Sequence, residues 1–167
     1  TARIEYDADL DQFRGEILGL SGGADFYGRN PKELRTEFKK SLKVFLDGPY
    51  NTTAGLMNDG LRTNALVPAT EPYTTSLGYT KVAKGGGEVL TTGVLNTTGN
   101  NAVVDWVRVE LRPVSQPGMI AASAQGVVQR DGDVLAGDNT SPLQLRVGSG
   151  TYHVVVRHRN HLGAMTA

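Results

Sequence analysis

Val103-Val104-Asp105-Trp106-Val107-Arg108-Val109-Glu110-Leu111-Arg112 is the stretch on which the fold turns. Its second half alternates with the period-2 signature of a strand, so Trp106, Arg108, Glu110 and Arg112 fall on one face and Val107, Val109 and Leu111 on the other. The aliphatic face is expected to turn inward. Residues 152–159 repeat the pattern: Tyr152, Val154, Val156 and His158 oppose His153, Val155, Arg157 and Arg159. The charged face of this second strand is expected either to meet solvent or to pair with carboxylates such as Glu110.

Outward from these strands, β-type runs at 61–67, 79–82, 88–94, 119–129 and 143–147 lie between Gly, Pro and Asn clusters. Seven or eight strands at that spacing predict a β-sandwich. Composition agrees: with 21 Gly and 7% aromatic residues, a turn-rich β protein is favoured, because glycine costs a helix about 1 kcal/mol per position. At 167 residues and 39% hydrophobic content the chain has material for one large domain or two small ones. Lys plus Arg is 17 and Asp plus Glu is 17, so a basic coat for nucleic acid or an anionic membrane is excluded, and nucleic acid is not an expected partner. Cysteine is absent, which removes disulfides, thiolate nucleophiles and Cys-ligated zinc together. No apolar run reaches the roughly 20 residues a bilayer requires, so membrane insertion is not expected, and the opening Thr1-Ala2-Arg3-Ile4-Glu5-Tyr6 lacks the basic-then-apolar order of a signal segment.

The first 47 residues differ in composition from the rest: all four Phe lie before Asp47 and all three His after it. Residues 2–6 and 13–18 read as a hairpin about an acidic turn containing Asp7, Asp9 and Asp11, and residues 24–27 as a third strand. Asn30-Pro31-Lys32-Glu33 then places a capping residue, an N1 proline and an N3 glutamate in order, so a helix is expected from Pro31. Its apolar stripe would be Leu34, Phe38, Leu42 and Phe45. The fold expected is mainly β with a small α+β part. A β-β-β-α unit at 1–47, a three-stranded sheet with one helix, precedes a sandwich of seven or eight strands at 48–167.

The run Ala2-Arg3-Ile4-Glu5-Tyr6-Asp7, Phe13-Arg14-Gly15-Glu16-Ile17-Leu18-Gly19-Leu20, Asn30-Pro31-Lys32-Glu33-Leu34 and Phe38 to Asp47 resembles the HicB family of antitoxins. That resemblance implies a partial RNase H-like unit that binds and occludes a small HicA-type ribonuclease toxin in the cytoplasm. The first strand would be clipped at Thr1, and neither the family's closing strand nor its DNA-reading domain follows Asp47.

From about Leu46 onward a second resemblance rests on several separated strings. They are Gly48-Pro49-Tyr50, Thr53-Ala54-Gly55-Leu56-Met57-Asn58-Asp59, Glu71-Pro72-Tyr73, the 103–112 strand, Gln129-Arg130-Asp131-Gly132-Asp133-Val134, and Val156-Arg157-His158-Arg159-Asn160-His161-Leu162-Gly163-Ala164-Met165-Thr166. Together these are similar to an uncharacterised module of large bacterial surface proteins exported by type IX secretion. In that module the chain continues past Ala167, so the resemblance implies a fragment or a fusion.

Candidate sites follow from residue type. Asp131, Asp133 and Asp138, with Asn139, put hard oxygen ligands into one turn-rich region, either as a calcium site or as Asp-Gly turns; the glutamate of an EF-hand loop is missing. His158 and His161 would share a face only on a helix, and in a strand with a turn they read as hydrogen-bonding residues that fix the strand end. Lys84-Gly85-Gly86-Gly87 lacks the Gly-Lys-Ser/Thr that a phosphate loop requires. The triplets at Asn51, Asn96 and Asn139 read as surface loops. No Gly-x-Ser-x-Gly elbow accompanies the histidines, so no enzyme activity, no catalytic residue and no cofactor is expected beyond the calcium alternative. The function expected is a non-catalytic binding or assembly protein, a structural or adhesion module of the cell surface or exterior whose partner is another protein or itself. The alternative is the HicB-like antitoxin.

Overall fold

The structure is a computed structural model that describes residues 2–9, 11–17, 25–30, 43–83 and 85–166. The chain is mainly β with a small helical component, as its sequence predicts. It divides into two compact units, residues 1–42 with 166–167, and residues 43–165. No helix among the described residues is long and apolar enough to cross a membrane.

The first unit contains an antiparallel meander, β1 (Ala2–Asp7), β2 (Gln12–Ile17) and β3 (Asp25–Gly28), in that order across the sheet. Tyr6 stands opposite Phe13, their rings edge to face at 5.5 Å, and the Tyr6 hydroxyl donates to Asp11 across the acidic turn. The helix expected from Pro31 lies outside the described residues, as do Leu34, Phe38 and Leu42 of its stripe. Phe45 is not helical. Lys43 bridges to Asp133, Val44 donates to the Gly132 carbonyl, and Phe45 packs edge to face on Tyr50 at 4.9 Å. Residues 43–47 therefore belong with the larger unit, and the division falls between Leu42 and Lys43 rather than after Asp47.

The second unit is built on a five-stranded antiparallel sheet of order β10-β9-β6-β7-β8: β6 (Val103–Pro113), β7 (Ala122–Gln129), β8 (Val134–Leu135), β9 (Tyr152–His158) and β10 (His161–Met165). A two-residue hairpin, β4 (Tyr50–Asn51) with β5 (Leu56–Met57), adds the remaining pair. β6 is the central strand, and every residue from Val103 to Glu110 is buried. Its pairing with β7 slips between Val103 and Asp105, a bulge that leaves Val104 extra and brings Val103 into one cluster with Trp106, Val127, Val67, Tyr73 and Val94. Burying each such side chain contributes about 1.5–3 kcal/mol. Trp106 and Tyr73 satisfy their polar tips inside this core: Trp106 Nε1 donates to the Pro68 carbonyl at 2.8 Å and the Tyr73 hydroxyl to the Trp106 carbonyl at 2.9 Å.

The segments against this sheet are less regular than the sequence suggests. Residues 61–63, the start of the run expected as a strand, instead belong to a single helical turn, α1 (Gly60–Thr63), held by Arg62 on Asp59. The runs at 79–82 and 88–94 make only isolated bridges, Val82 with Gly85 and Thr70 with Val89, before a 3₁₀ turn at Val94–Asn96. Residues 143–147 form no strand. Val67 and Val94 of these runs are anchored by burial in the core rather than by a ladder, which short apolar stretches do not disclose. Val82 and Glu88 guard the edge of β7: Ser123 N donates to the Val82 carbonyl and Gln125 N to the Glu88 carboxylate. Gly85 makes this approach feasible, since a Cβ there would lie 1.5 Å from the Ser123 carbonyl oxygen.

Candidate functional site

The face of β6 expected to look outward is buried. Arg108 is 0% exposed and Glu110 1% exposed, so two opposite charges sit in the floor of the sheet, a placement that costs several kcal/mol per ion unless each is paired. Strand alternation puts Arg112 on the same face, and antiparallel register sets Arg157 of β9 directly opposite Arg108. Glu110 is the hub. Its Oε1 accepts from Arg108 Nε at 2.8 Å, its Oε2 accepts from Arg112 Nη2 at 2.8 Å and Nε at 3.1 Å, and Arg157 Nε lies 3.3 Å from Oε1 without hydrogen-bond alignment. Burial pushes the Glu110 carboxyl up, but the hydrogen bonds from Arg108 and Arg112 and the charge of Arg157 outweigh it and hold its pKa below the ordinary glutamate value.

Loop chemistry completes the surroundings. A second helical turn, α2 (Pro72–Thr75), starts at Glu71, whose side chain accepts from Thr74 N at 3.0 Å. After α2 the chain turns through Gly78, at φ +75°, so that Tyr79 N donates to the Tyr73 carbonyl. This places the Tyr79 ring 5.3 Å from the Arg108 guanidinium and the Thr80 carbonyl 3.0 Å from Arg108 Nη2. Together these groups line an open cleft of about 510 Å³, with Leu77, Tyr79 and Ile120 supplying apolar surface beside Arg108, Glu110, Arg112 and Arg157. The cleft is net positive. Arg108 Nη1 is buried with no hydrogen-bond partner, as are both side-chain polar atoms of Gln125, which stands opposite Arg108 on β7.

The residues singled out from sequence lie elsewhere. Asp131 and Asp133 are neighbours, with Asp133 N donating to the Asp131 carboxylate and Asp133 paired with Lys43 Nζ at 2.8 Å, whereas Asp138 caps its own turn through Thr140 N, Ser141 N and Ser141 Oγ. Among the described residues no three His, Asp or Glu side chains are grouped so that they could hold a metal ion. His158 and His161 meet at the β9–β10 turn, their Nδ1 atoms 2.7 Å apart, a contact that holds only by sharing one hydrogen. His158 Nε2 reaches Asp105 at 3.0 Å, and His161 Nε2 donates to the Asp47 carbonyl at 2.7 Å. His153 is apart from both, its Nδ1 buried without a partner. The amides of Gly86 and Gly87 donate to Glu88 and Glu71, so this glycine run serves the chain's own carboxylates. Asn51 and Asn96 are exposed, but Asn139 is buried and bonded to Gln129 and Asn101, contrary to the surface position expected for it.

The sequence placed Arg108, Glu110 and Arg112 on one face and allowed the β9 arginines to pair with Glu110, as Arg157 does; what it did not disclose is that this face is buried, because the covering segment is distant in the chain. No protein-family model matches the chain, and neither a curated protein nor a solved structure similar to it was found.

Proposed function

We infer that this chain is a non-catalytic binding module whose partner presents acidic groups to the cleft at Arg112 and Arg157. The observation that carries this reading is the fixed charge state of the cleft. Guanidinium groups do not release protons at neutral pH, and both Glu110 oxygens are held by arginines with the carboxyl pKa depressed, so these groups attract a ligand but do not shuttle protons for it. The resemblance read from the sequence of residues 46–167 implies an extracellular or cell-surface setting, in which binding would serve adhesion or assembly. Titration calorimetry of the whole chain with a poly-glutamate peptide and a poly-glutamine peptide of equal length tests the reading. Binding of the acidic peptide alone, weakening as salt rises, is expected; equal binding of both, or of neither, overturns it.

A second reading is favoured by the β1-β2-β3 meander of the first unit, which has the strand order expected of a HicB-like sheet. In that reading the chain neutralises a HicA-type ribonuclease, and adding it to such a toxin suppresses RNA cleavage. Unaltered cleavage at excess chain refutes it.

A further inference from the structure

We propose that His158 and His161 form a proton-operated clasp, in which one proton beyond the neutral complement of the two rings ties the β9–β10 turn to the Asp47 carbonyl. A count of hydrogens carries the inference. Four ring nitrogens make three contacts: His158 Nε2 lies 3.0 Å from Asp105 Oδ2, His161 Nε2 lies 2.7 Å from the Asp47 carbonyl, and the two Nδ1 atoms lie 2.7 Å apart. A carboxylate and a carbonyl only accept, so both Nε2 atoms must donate, and the Nδ1 pair needs a third hydrogen between its members. Two neutral imidazoles own two hydrogens. The pair as folded holds three, and with them a single positive charge.

Asp105 does not supply the extra hydrogen. It accepts from Arg159 Nε at 2.8 Å and Nη2 at 3.1 Å, from Trp106 N at 2.9 Å and from His158, four donors that fill the acceptor sites of an ionised carboxylate. The Asn160 amide donates to His158 Nδ1 at 3.2 Å, which marks that nitrogen as the acceptor of the shared hydrogen and puts the charge on His161. His158 is buried and His161 half-buried, so the charge rests on the ring nearer water. The groups that face the pair are the Asp105 carboxylate of β6, the Arg159 guanidinium of the turn, and the Tyr73 hydroxyl of α2, which burial keeps neutral. Asp47 adds a carboxylate, whose Oδ1 accepts from Gly48 N, on the residue that His161 bonds.

Losing the proton removes one of the three contacts, and the one that yields is the one water can replace. His158 and Asp105 meet in the interior, whereas His161 and the Asp47 carbonyl meet at the surface. β10 is an edge strand whose pairing with β9 shifts register between His161 and Ala164. Deprotonation therefore releases the β9–β10 turn from the segment that ends at Asp47, and a fourth hydrogen at low pH parts the rings at Nδ1. In an unfolded chain two imidazoles hold two hydrogens well above about pH 6.5 and four well below it. The folded pair binds more protons than the unfolded chain on the alkaline side and fewer on the acid side, so the stability it contributes peaks near that pH and declines both ways.

The test follows imidazole 15N resonances of the full chain from pH 9 to pH 4 with a chelator present. A coupling between the two Nδ1 nuclei through the shared hydrogen is expected around pH 6 to 7 and is lost at both extremes. Urea unfolding of the full chain is compared with that of a His158→Gln, His161→Gln double variant. The ratio of the two unfolding constants should be greatest near about pH 6.5 and shrink by up to about tenfold per pH unit on either side, the slope of a one-proton difference. His153→Gln, outside the pair, should keep the peak. Should the double variant not fold, the coupling in the unaltered chain decides the matter. A coupling that persists unchanged to pH 9, two rings that titrate separately with no coupling at any pH, or a ratio that is flat with pH each overturns the proposal.

Discussion

Glu110 shows how one residue decides what its neighbours are worth. Three arginines lie within reach of a carboxylate that is 1% exposed, and removing its charge leaves Arg108 buried without a counter-ion. Glu110→Gln is therefore expected to destabilise the chain by about 3–5 kcal/mol, measured by urea unfolding followed through Trp106 fluorescence. Tyr73 is a neutral counterpart. Burial, with the nearby charge of Asp105, pushes its hydroxyl pKa well above that of an ordinary phenol, and that hydroxyl lies 2.9 Å from the Trp106 carbonyl and 3.2 Å from that of Arg157. Tyr73→Phe keeps the ring in the core and strips the donor, so a loss of about 1–2 kcal/mol is expected in the same assay. Neither role is visible in the residue type, because an alternating Arg-Val-Glu-Leu-Arg run reads the same whether its polar face meets water or a covering loop.

Among the elements, β6, β7 and β9 were legible from sequence, since each alternates long enough for period 2 to stand out. The segments laid against them were not. Residues 61–67 and 88–94 are rich in the same aliphatic residues, yet they meet the sheet as a helical turn, isolated bridges and a 3₁₀ turn. What fixes them is the partner they pack on. Gly85 is the sharpest instance: any side chain there collides with the Ser123 carbonyl on the guarded edge of β7. Gly85→Ala is expected to cost about 1–3 kcal/mol, with hydrogen exchange at the Ser123 and Gln125 amides accelerating as that edge loosens. The bulge at Val104 is another. It depends on Val103 finding the Trp106 cluster, a long-range demand with no local marker.

At the scale of the whole molecule, the carboxylates set the acid limit of stability. Glu110, Asp59 and Asp138 all have folded pKa values below their ordinary ones: for Glu110 and Asp59 burial pushes up but arginine hydrogen bonds prevail, and for Asp138 the Ser141 hydroxyl leads. A depressed folded pKa means the unfolded chain takes up protons first as pH falls. The stabilisation is complete above the unfolded values, roughly pH 4 to 4.5, and disappears as pH drops through the lower folded ones. Denaturant midpoints measured from pH 7 to pH 2 should stay level for these groups above about pH 5 and then decline, and Glu110→Gln should flatten part of that decline.

Sequence alone determined that this chain is mainly β, that the 103–112 and 152–159 runs are strands, where its composition changes, and that a hairpin with a third strand precedes the larger unit, because those features are written in local periodicity and turn chemistry. Only the tertiary structure decided that the charged face of β6 is covered, that Arg157 comes opposite Arg108, and that Asp133 pairs with Lys43 while Asp138 caps its own turn. Those outcomes depend on which distant segment supplies the hydrogen bonds and excludes the water, and that choice is settled by the packing of the whole unit.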